Sequence, residues 1–189
     1  MDNSVHNILM VGVGGQGIIL ASDILTLAAM YSGYDAKKSE IHGMSQRGGS
    51  VFSHIRFGRK VHSPTIPEGE AHILFSLEEM ETLRWLSYAN PESLIVTLRT
   101  QIKPAMVEEY PDGIEAELRK RSGKVKFLEP EELRQEIESV KFFNVALLGM
   151  LSEHIDLPED SWRRAIEKRV PRGSFEGNWK AFQAGKKHA

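Results

Sequence analysis

The stretch Val11-Gly12-Val13-Gly14-Gly15-Gln16-Gly17 constrains the fold of this chain more than any other. An apolar run, Ile8 to Val11, precedes it, and the pattern predicts a long apolar helix opening near Ile18. Strand, glycine turn, helix is the order in which Gly12, Gly14 and Gly17 fit a G-x-G-x-x-G fingerprint. Glycines admit the dihedrals of a tight turn and, lacking Cβ atoms, let a ligand approach the main chain. The free N–H groups of the following helix carry partial positive charge, which suits a phosphate or carboxylate. Two readings stay open. Gly12, Gly14, Gly15, Gln16 and Gly17 contact an anionic cofactor, or the turn only lets strand and helix pack closely.

A dinucleotide fold also places Asp or Glu roughly 20 residues on, at the end of the second strand, to hold a ribose diol. Here the second strand, expected near Ala36 to Ser39, carries Lys37 and Lys38. NAD is therefore disfavoured, whereas NADP, coenzyme A or another phosphate-bearing ligand fits, with the lysines meeting its extra phosphate.

At 189 residues the chain is long enough for one domain with a full core and short for two. A net charge of -2 and a pI near 6.4 give no global basic field for nucleic acid. There are no cysteines, so no disulfide, thiolate-held zinc, iron–sulfur cluster or cysteine nucleophile belongs to this chain. No signal peptide is evident at Met1 to Ser4. The helix from Ile18 to Tyr31, interrupted by Ser22, Asp23 and Thr26, is too short and polar to span a bilayer. The expected location is cytoplasmic.

Further along, Val51 to Phe57 alternates as a strand, and Gly58-Arg59 is expected to turn it into a hairpin with a short partner around Val61. Ala71 to Phe75, Leu94 to Leu98 and Val125 to Leu128 read as buried strands. Ser76 and Glu79 form a capping-box pattern for a helix through Leu86. Pro130 opens a helix to about Ser139. Helices follow over Val145 to Ile155, Pro158 to Val170 and Phe175 to Phe182, with Gly185-Lys186-Lys187 expected to fray. Strands alternating with helices, then helices alone, predict an α/β fold. It is a Rossmann-like three-layer sandwich with a mostly parallel sheet, a β-hairpin and a helical C-terminal appendage.

A second loop, Gly43-Met44-Ser45-Gln46-Arg47-Gly48-Gly49, joins a planar cation to paired glycines. Arg47 there has the geometry to grip a carboxylate or phosphate, or to bridge to Glu40 and fix the loop. Loops after strand ends in such folds converge on a ligand crevice, so this loop is expected to face the first glycine turn. The seven histidines show no metal-ligand spacing; His54 and His72 read as structural. No nucleophile elbow surrounds Ser45 or Ser50. Glu78, Glu79 and Glu81 are expected to face solvent. From the residues alone, the chain binds an anion and carries no catalytic machinery.

The two glycine stretches together, Gly12 to Gly17 and Glu40 to Val51, resemble the gamma-type subunits of 2-oxoacid:ferredoxin oxidoreductases. The likeness is greatest to the small (beta) subunit of the indolepyruvate:ferredoxin enzymes. Asn144 opening an apolar helix with Leu147 and Gly149, and the closing Asn178 to Gly185 segment with Ala181 and Phe182, agree. The resemblance covers essentially the whole chain and implies a single pyruvate/ketoacid oxidoreductase gamma-type domain over residues 1–189. It implies an accessory role in oxidative decarboxylation of a 2-oxo acid to acyl-CoA and carbon dioxide, with electrons passed to ferredoxin. Thiamine diphosphate and the iron–sulfur clusters would then sit on a large partner subunit, and this chain would hold no cofactor alone. The Gly-Met-Ser-Gln-Arg-Gly-Gly wording resembles aryl-pyruvate enzymes; pyruvate and 2-oxoglutarate enzymes more often have Gly-Pro before the Arg-Gly-Gly. The resemblance points Gly12 to Gly17 and Arg47, Gly48 and Gly49 at the subunit junction, with Lys37 and Lys38 available to coenzyme A phosphates. No nucleic acid or membrane partner is expected, and a homodimer of the isolated chain is open. Two rival readings remain: a stand-alone NADP-type oxidoreductase, and a purely structural assembly subunit.

Overall fold

β1 (His6–Val13) is buried over all but its first residue, because both of its faces are covered. Its side chains alternate: Ile8 and Met10 enter the hydrophobic cluster on one face, Leu9 and Val11 the cluster on the other. A strand covered on both sides reads as a continuous apolar run, which is why it is visible in the sequence. The structure, a computed structural model, describes residues 5–42, 49–103 and 109–189. After β1 come α1 (Ile18–Tyr31), β2 (Asp35–His42), β3 (Ser50–Gly58), β4 (Ala71–Ser76), α2 (Glu79–Arg84) and β5 (Ala89–Leu98). Then follow α3 (Ile114–Arg121), β6 (Lys124–Leu128), α4 (Pro130–Glu136), α5 (Phe143–Ser152), α6 (Glu159–Arg169) and α7 (Phe175–Lys187).

The six strands form one sheet in the order β2-β3-β1-β4-β5-β6. β1, β4, β5 and β6 are parallel, and β3 runs antiparallel to both of its neighbours, β2 and β1. The α/β class with a mostly parallel sheet is as expected, but the hairpin is elsewhere. β3 pairs with the preceding β2, and no strand forms around Val61. Instead the Val61 N–H donates to the Asp35 carboxylate at 2.8 Å. β2 also extends to His42, taking in residues too polar for a core strand; as an edge strand it needs no apolar run.

α1 and α5 lie on the first face, and α6 and α7 pack against them. α1 is thus held between sheet and helix, which accounts for its nearly all-apolar surface. Its hydroxyls are satisfied locally: Ser22 donates to the Ile19 carbonyl and Thr26 to that of Ser22. The opposite face is covered by α2 and α3.

α5 and α7 approach through glycines. A Cβ on Gly149 would run into the Phe182 carbonyl, and one on Gly185 into that of Ala146. The last turn of α7 is helical rather than frayed, because Lys186 pairs with Glu153 and Glu159, and Lys187 with Glu136. Among the described residues no helix is long and apolar enough to cross a membrane. Gly149→Ala is expected to destabilise the chain by about 3 kcal/mol, since overpacking against backbone outweighs alanine's helix preference. Chemical denaturation compared with Gly177→Ala, whose added methyl meets only the Phe142 ring, provides the check.

Candidate functional site

β1 delivers its chain to α1 on one face, and β4 delivers its chain to α2 on the other. A crevice outside the carboxyl ends of these adjacent parallel strands is the usual ligand position in such sheets. The glycine turn sits there. Gly15 and Gly17 have φ of 98° and 85°, a left-handed backbone that favours glycine. Gly12 is required for a different reason: a Cβ would lie 2.9 Å from Ile18 Cγ1. Gln16 fastens the turn. Its Oε1 accepts the Val13 N–H at 2.7 Å, and its Nε2 donates to the Leu77 carbonyl at 2.6 Å. Asn144, buried at the start of α5, donates through Nδ2 to the Gly17 carbonyl at 3.1 Å.

The first N–H groups of α1 have no acceptor within the helix. No side chain caps them, and no acidic residue stands in the first turn. Among the described residues they are donors with no side-chain cap, at a turn exposed at Gly15 and Ile19. The Gly14 N–H is not among them, because it donates to the Gly49 carbonyl at 2.8 Å. That bond brings the end of the second glycine loop against the first, as the strand-end argument expects. Arg47 and Gly48 lie outside the described residues.

The lysines are elsewhere. Lys38 is level with Ile55 on β3 and, through it, with Ile8 on β1. Gly14 is six residues further along, roughly 20 Å at strand rise. Lys38 is also engaged, with Asp23 and Glu40, and Arg169 meets the same Asp23. Lys37 lies 3.3 Å from Asp35. The structure does not bring these lysines to the glycine turn, because β3 is interposed between β2 and β1 and the pair sits near the start of β2.

Beside the turn a cleft of about 370 Å³ opens over the ends of β4 and β5. Gln16, Leu77, Arg99, Arg134, Val140 and Asn144 contribute to its walls. Arg99 is committed to Glu115 and Glu129 and lies 4.0 Å over the Phe127 ring. Arg134 makes no ion pair or hydrogen bond among the described residues. It is the cation of this cleft that a ligand could recruit, and sequence pattern gave no reason to single it out on a charged helix.

The three carboxylates expected in solvent are buried. Glu78 caps α2 by accepting the Glu81 N–H at 2.8 Å, so the cap is Glu78 and not Ser76. It also accepts from the Ile102 N–H at 2.9 Å and the Tyr110 hydroxyl at 2.6 Å. Burial, and then that carboxylate, push the Tyr110 phenol far above its ordinary range. Glu81 accepts from the Ser50 hydroxyl and from Arg84 at 3.0 Å. These bonds pin residues next to both loops, and three of their donors, Ile102, Tyr110 and Ser50, come from segments too distant in sequence for any local pattern to reveal. Glu79 differs. Its Oε1 is buried without a partner, and burial, opposed by Arg99, raises its pKa. A carboxyl whose folded pKa is raised costs the fold stability as pH climbs above the ordinary value of 4.5. Glu79→Gln is therefore expected to raise the melting temperature at pH 7, with the two proteins converging near pH 4 in a thermal melt series.

Residues 7–188 match the family described as pyruvate ferredoxin/flavodoxin oxidoreductase. The indolepyruvate oxidoreductase subunit IorB of Thermococcus kodakarensis is 36% identical over 196 residues, covering 97% of this chain and 96% of that one. The 2-oxoglutarate synthase subunit KorC of Methanothermobacter thermautotrophicus is 27% identical, covering 95% and 92%. Among solved structures, the keto/oxoacid ferredoxin oxidoreductase gamma subunit of Geobacter sulfurreducens has a TM-score of 0.73 at 21% identity, covering 98% and 96%. The 2-oxoglutarate:ferredoxin oxidoreductase of Magnetococcus marinus has a TM-score of 0.79 at 18% identity, covering all of this chain and 31% of that one. The structures share the fold, and the sequence matches run nearly end to end: the chain belongs to the pyruvate ferredoxin/flavodoxin oxidoreductase family.

Proposed function

We propose that this chain is the accessory subunit of a 2-oxoacid:ferredoxin oxidoreductase that converts indolepyruvate or another aryl pyruvate to acyl-CoA and carbon dioxide. Electrons leave to ferredoxin through iron–sulfur clusters on a large partner subunit, which also carries thiamine diphosphate. With no cysteine, this chain offers no thiolate to a cluster. Its own part is to complete the cleft on the coenzyme A side.

One observation carries this reading. Of the five exposed large hydrophobic residues among the described ones, Ile19, Ile41, Ile102 and Val140 belong to the carboxyl end of the sheet, and Met30 does not. Val140 is a wall of the cleft, and Ile19 is in the first turn of α1. An apolar ring around a polar turn has the composition of a subunit interface that must leave a channel for a charged ligand. The uncapped α1 N–H groups and Arg134 fit the phosphates of coenzyme A. The turn from Gly12 to Gly17 and the loop ending in Gly49, which includes Arg47 and Gly48, are assigned to the same junction. Lys37 and Lys38 are left out because of where β2 runs, and a stand-alone NADP reading loses its two phosphate ligands with them. The aryl-pyruvate preference is supported by the higher identity to an indolepyruvate than to a 2-oxoglutarate relative.

Reconstitution tests the proposal. The chain, alone and with its cysteine-rich partner, is assayed for coenzyme A-dependent dye reduction with indolepyruvate, phenylpyruvate, pyruvate and 2-oxoglutarate. Activity only in the mixture, and best with an aryl pyruvate, is expected; activity of the isolated chain, or no effect on the partner, overturns it. In the active complex, Arg134→Gln or Arg47→Ala should raise the KM for coenzyme A roughly tenfold, the loss of one charged phosphate contact. Val140→Asp should weaken subunit association in titration calorimetry while leaving the melting temperature of the isolated chain within about 2 °C.

A further inference from the structure

The strands begin at the other end of the sheet, and there a second opening of about 550 Å³ lies against the face that carries α5. Its floor is Ile73 and Leu94, register partners on β4 and β5. Around them stand His6 from β1, His72 from β4, Lys126 from β6 and His154 from the turn after α5. The His6 ring is stacked on Phe57 at 4.8 Å, which makes one wall flat and aromatic.

Four groups set the chemistry of this opening: the Lys124–Glu92 pair, Lys126, His154 and His72. Lys124 at the rim has Glu92 3.1 Å away, so that pair brings little net charge. Lys126 makes no ion pair or hydrogen bond among the described residues, and it leaves one uncompensated cation. Partial burial, and then the Lys126 charge, hold His154 below the ordinary imidazole value, so it adds no second charge at neutral pH. The Asn7 N–H donates to His72 Nδ1 at 3.0 Å. The neutral His72 ring therefore carries its proton on Nε2, where it is a donor. One cation, one neutral donor and an apolar floor complement a monoanion with an apolar body. Inorganic phosphate would leave the floor unused, and a neutral hydrophobe would desolvate Lys126 without compensation.

We propose that this cleft is a binding site for a small organic carboxylate with an aromatic or branched body. The carboxylate meets Lys126 Nζ and the His72 Nε2–H, and the body covers Ile73 and Leu94. The volume is within the range of small-molecule sites.

Amide chemical-shift titration of the full chain tests this, with phenylacetate, phenylacetamide and inorganic phosphate as probes. Phenylacetate should saturate with a Kd on the order of 1 mM, as befits so small a ligand. Its shifts should be confined to the starts of β1, β4, β5 and β6 and the turn at His154. Phenylacetamide should bind roughly tenfold more weakly, and Lys126→Gln, at an exposed position that leaves the spectrum folded, should weaken phenylacetate by roughly tenfold. Absence of saturation, shifts centred on the glycine turn, or phosphate binding as tightly as phenylacetate overturns the proposal. So does hydrogen-exchange protection of β6 by the partner subunit together with loss of phenylacetate binding, which would make the cleft a subunit seam.

Discussion

Where β1 and β4 part, one chain leaves to each face of the sheet, and the backbone groups at the split need partners in a place that helices do not supply. Gln16 provides them with one side chain, taking the Val13 N–H and giving to the Leu77 carbonyl. Every other feature of that end is arranged around this clasp. Gly12 must lack a Cβ for the side chain to fold back, since a methyl there would lie 3.0 Å from Gln16 Oε1. Asn144 then fixes Gly17 from the opposite direction. The glycine turn is thus rigid on three sides and open on the one that faces the cleft, the kind of preorganisation that lets backbone N–H groups hold an anion at low entropic cost.

The inserted antiparallel strand decides which charges reach that open side. In a doubly wound sheet the second strand lies beside the first, and residues at its end look onto the turn. Here β3 occupies that position, β2 is displaced to the edge, and its lysines are consumed by Asp23, Glu40 and Asp35. What β3 brings instead is Gly49 and Ser50, bonded to Gly14 and to the buried Glu81. Gly49 is therefore tied to the first glycine turn by a main-chain bond, and Ser50 beside it is held by a buried carboxylate.

The elements that were legible in the sequence are those governed by local physics. Continuous apolar runs gave β1, β4 and β5, and the all-apolar character of α1 anticipated its cover on both sides. The fingerprint at Gly12, Gly14 and Gly17 was readable because turn geometry and close packing are local demands, although the left-handed backbone falls at Gly15 and Gly17. Partner choice was not. Gly58-Arg59 is a sound hairpin signal, yet Asp35 captures the Val61 N–H, and the residues after Gly58 form no strand. Glu78, Glu79 and Glu81 carried the composition of a solvated helix. Glu78 and Glu81 are satisfied in the interior by Tyr110, Ile102 and Ser50, donors supplied only once the chain has folded. Asn144 was noticed as a helix start, but its reach to Gly17 spans 127 positions and left no mark at either end.

That long reach bears on how the protein is made. α5 presents Asn144 to the turn, and α5 is itself seated by the Gly149–Gly185 approach to α7, the last helix of the chain. During synthesis the strands and α1 emerge first, at some 5–20 residues per second, but the turn lacks its final support until α7 has cleared the ribosome. The glycine turn thus gains the Asn144 tether only after α7 has been translated. An incomplete chain would have the sheet without a settled turn, so truncated products would be poor competitors for the partner subunit.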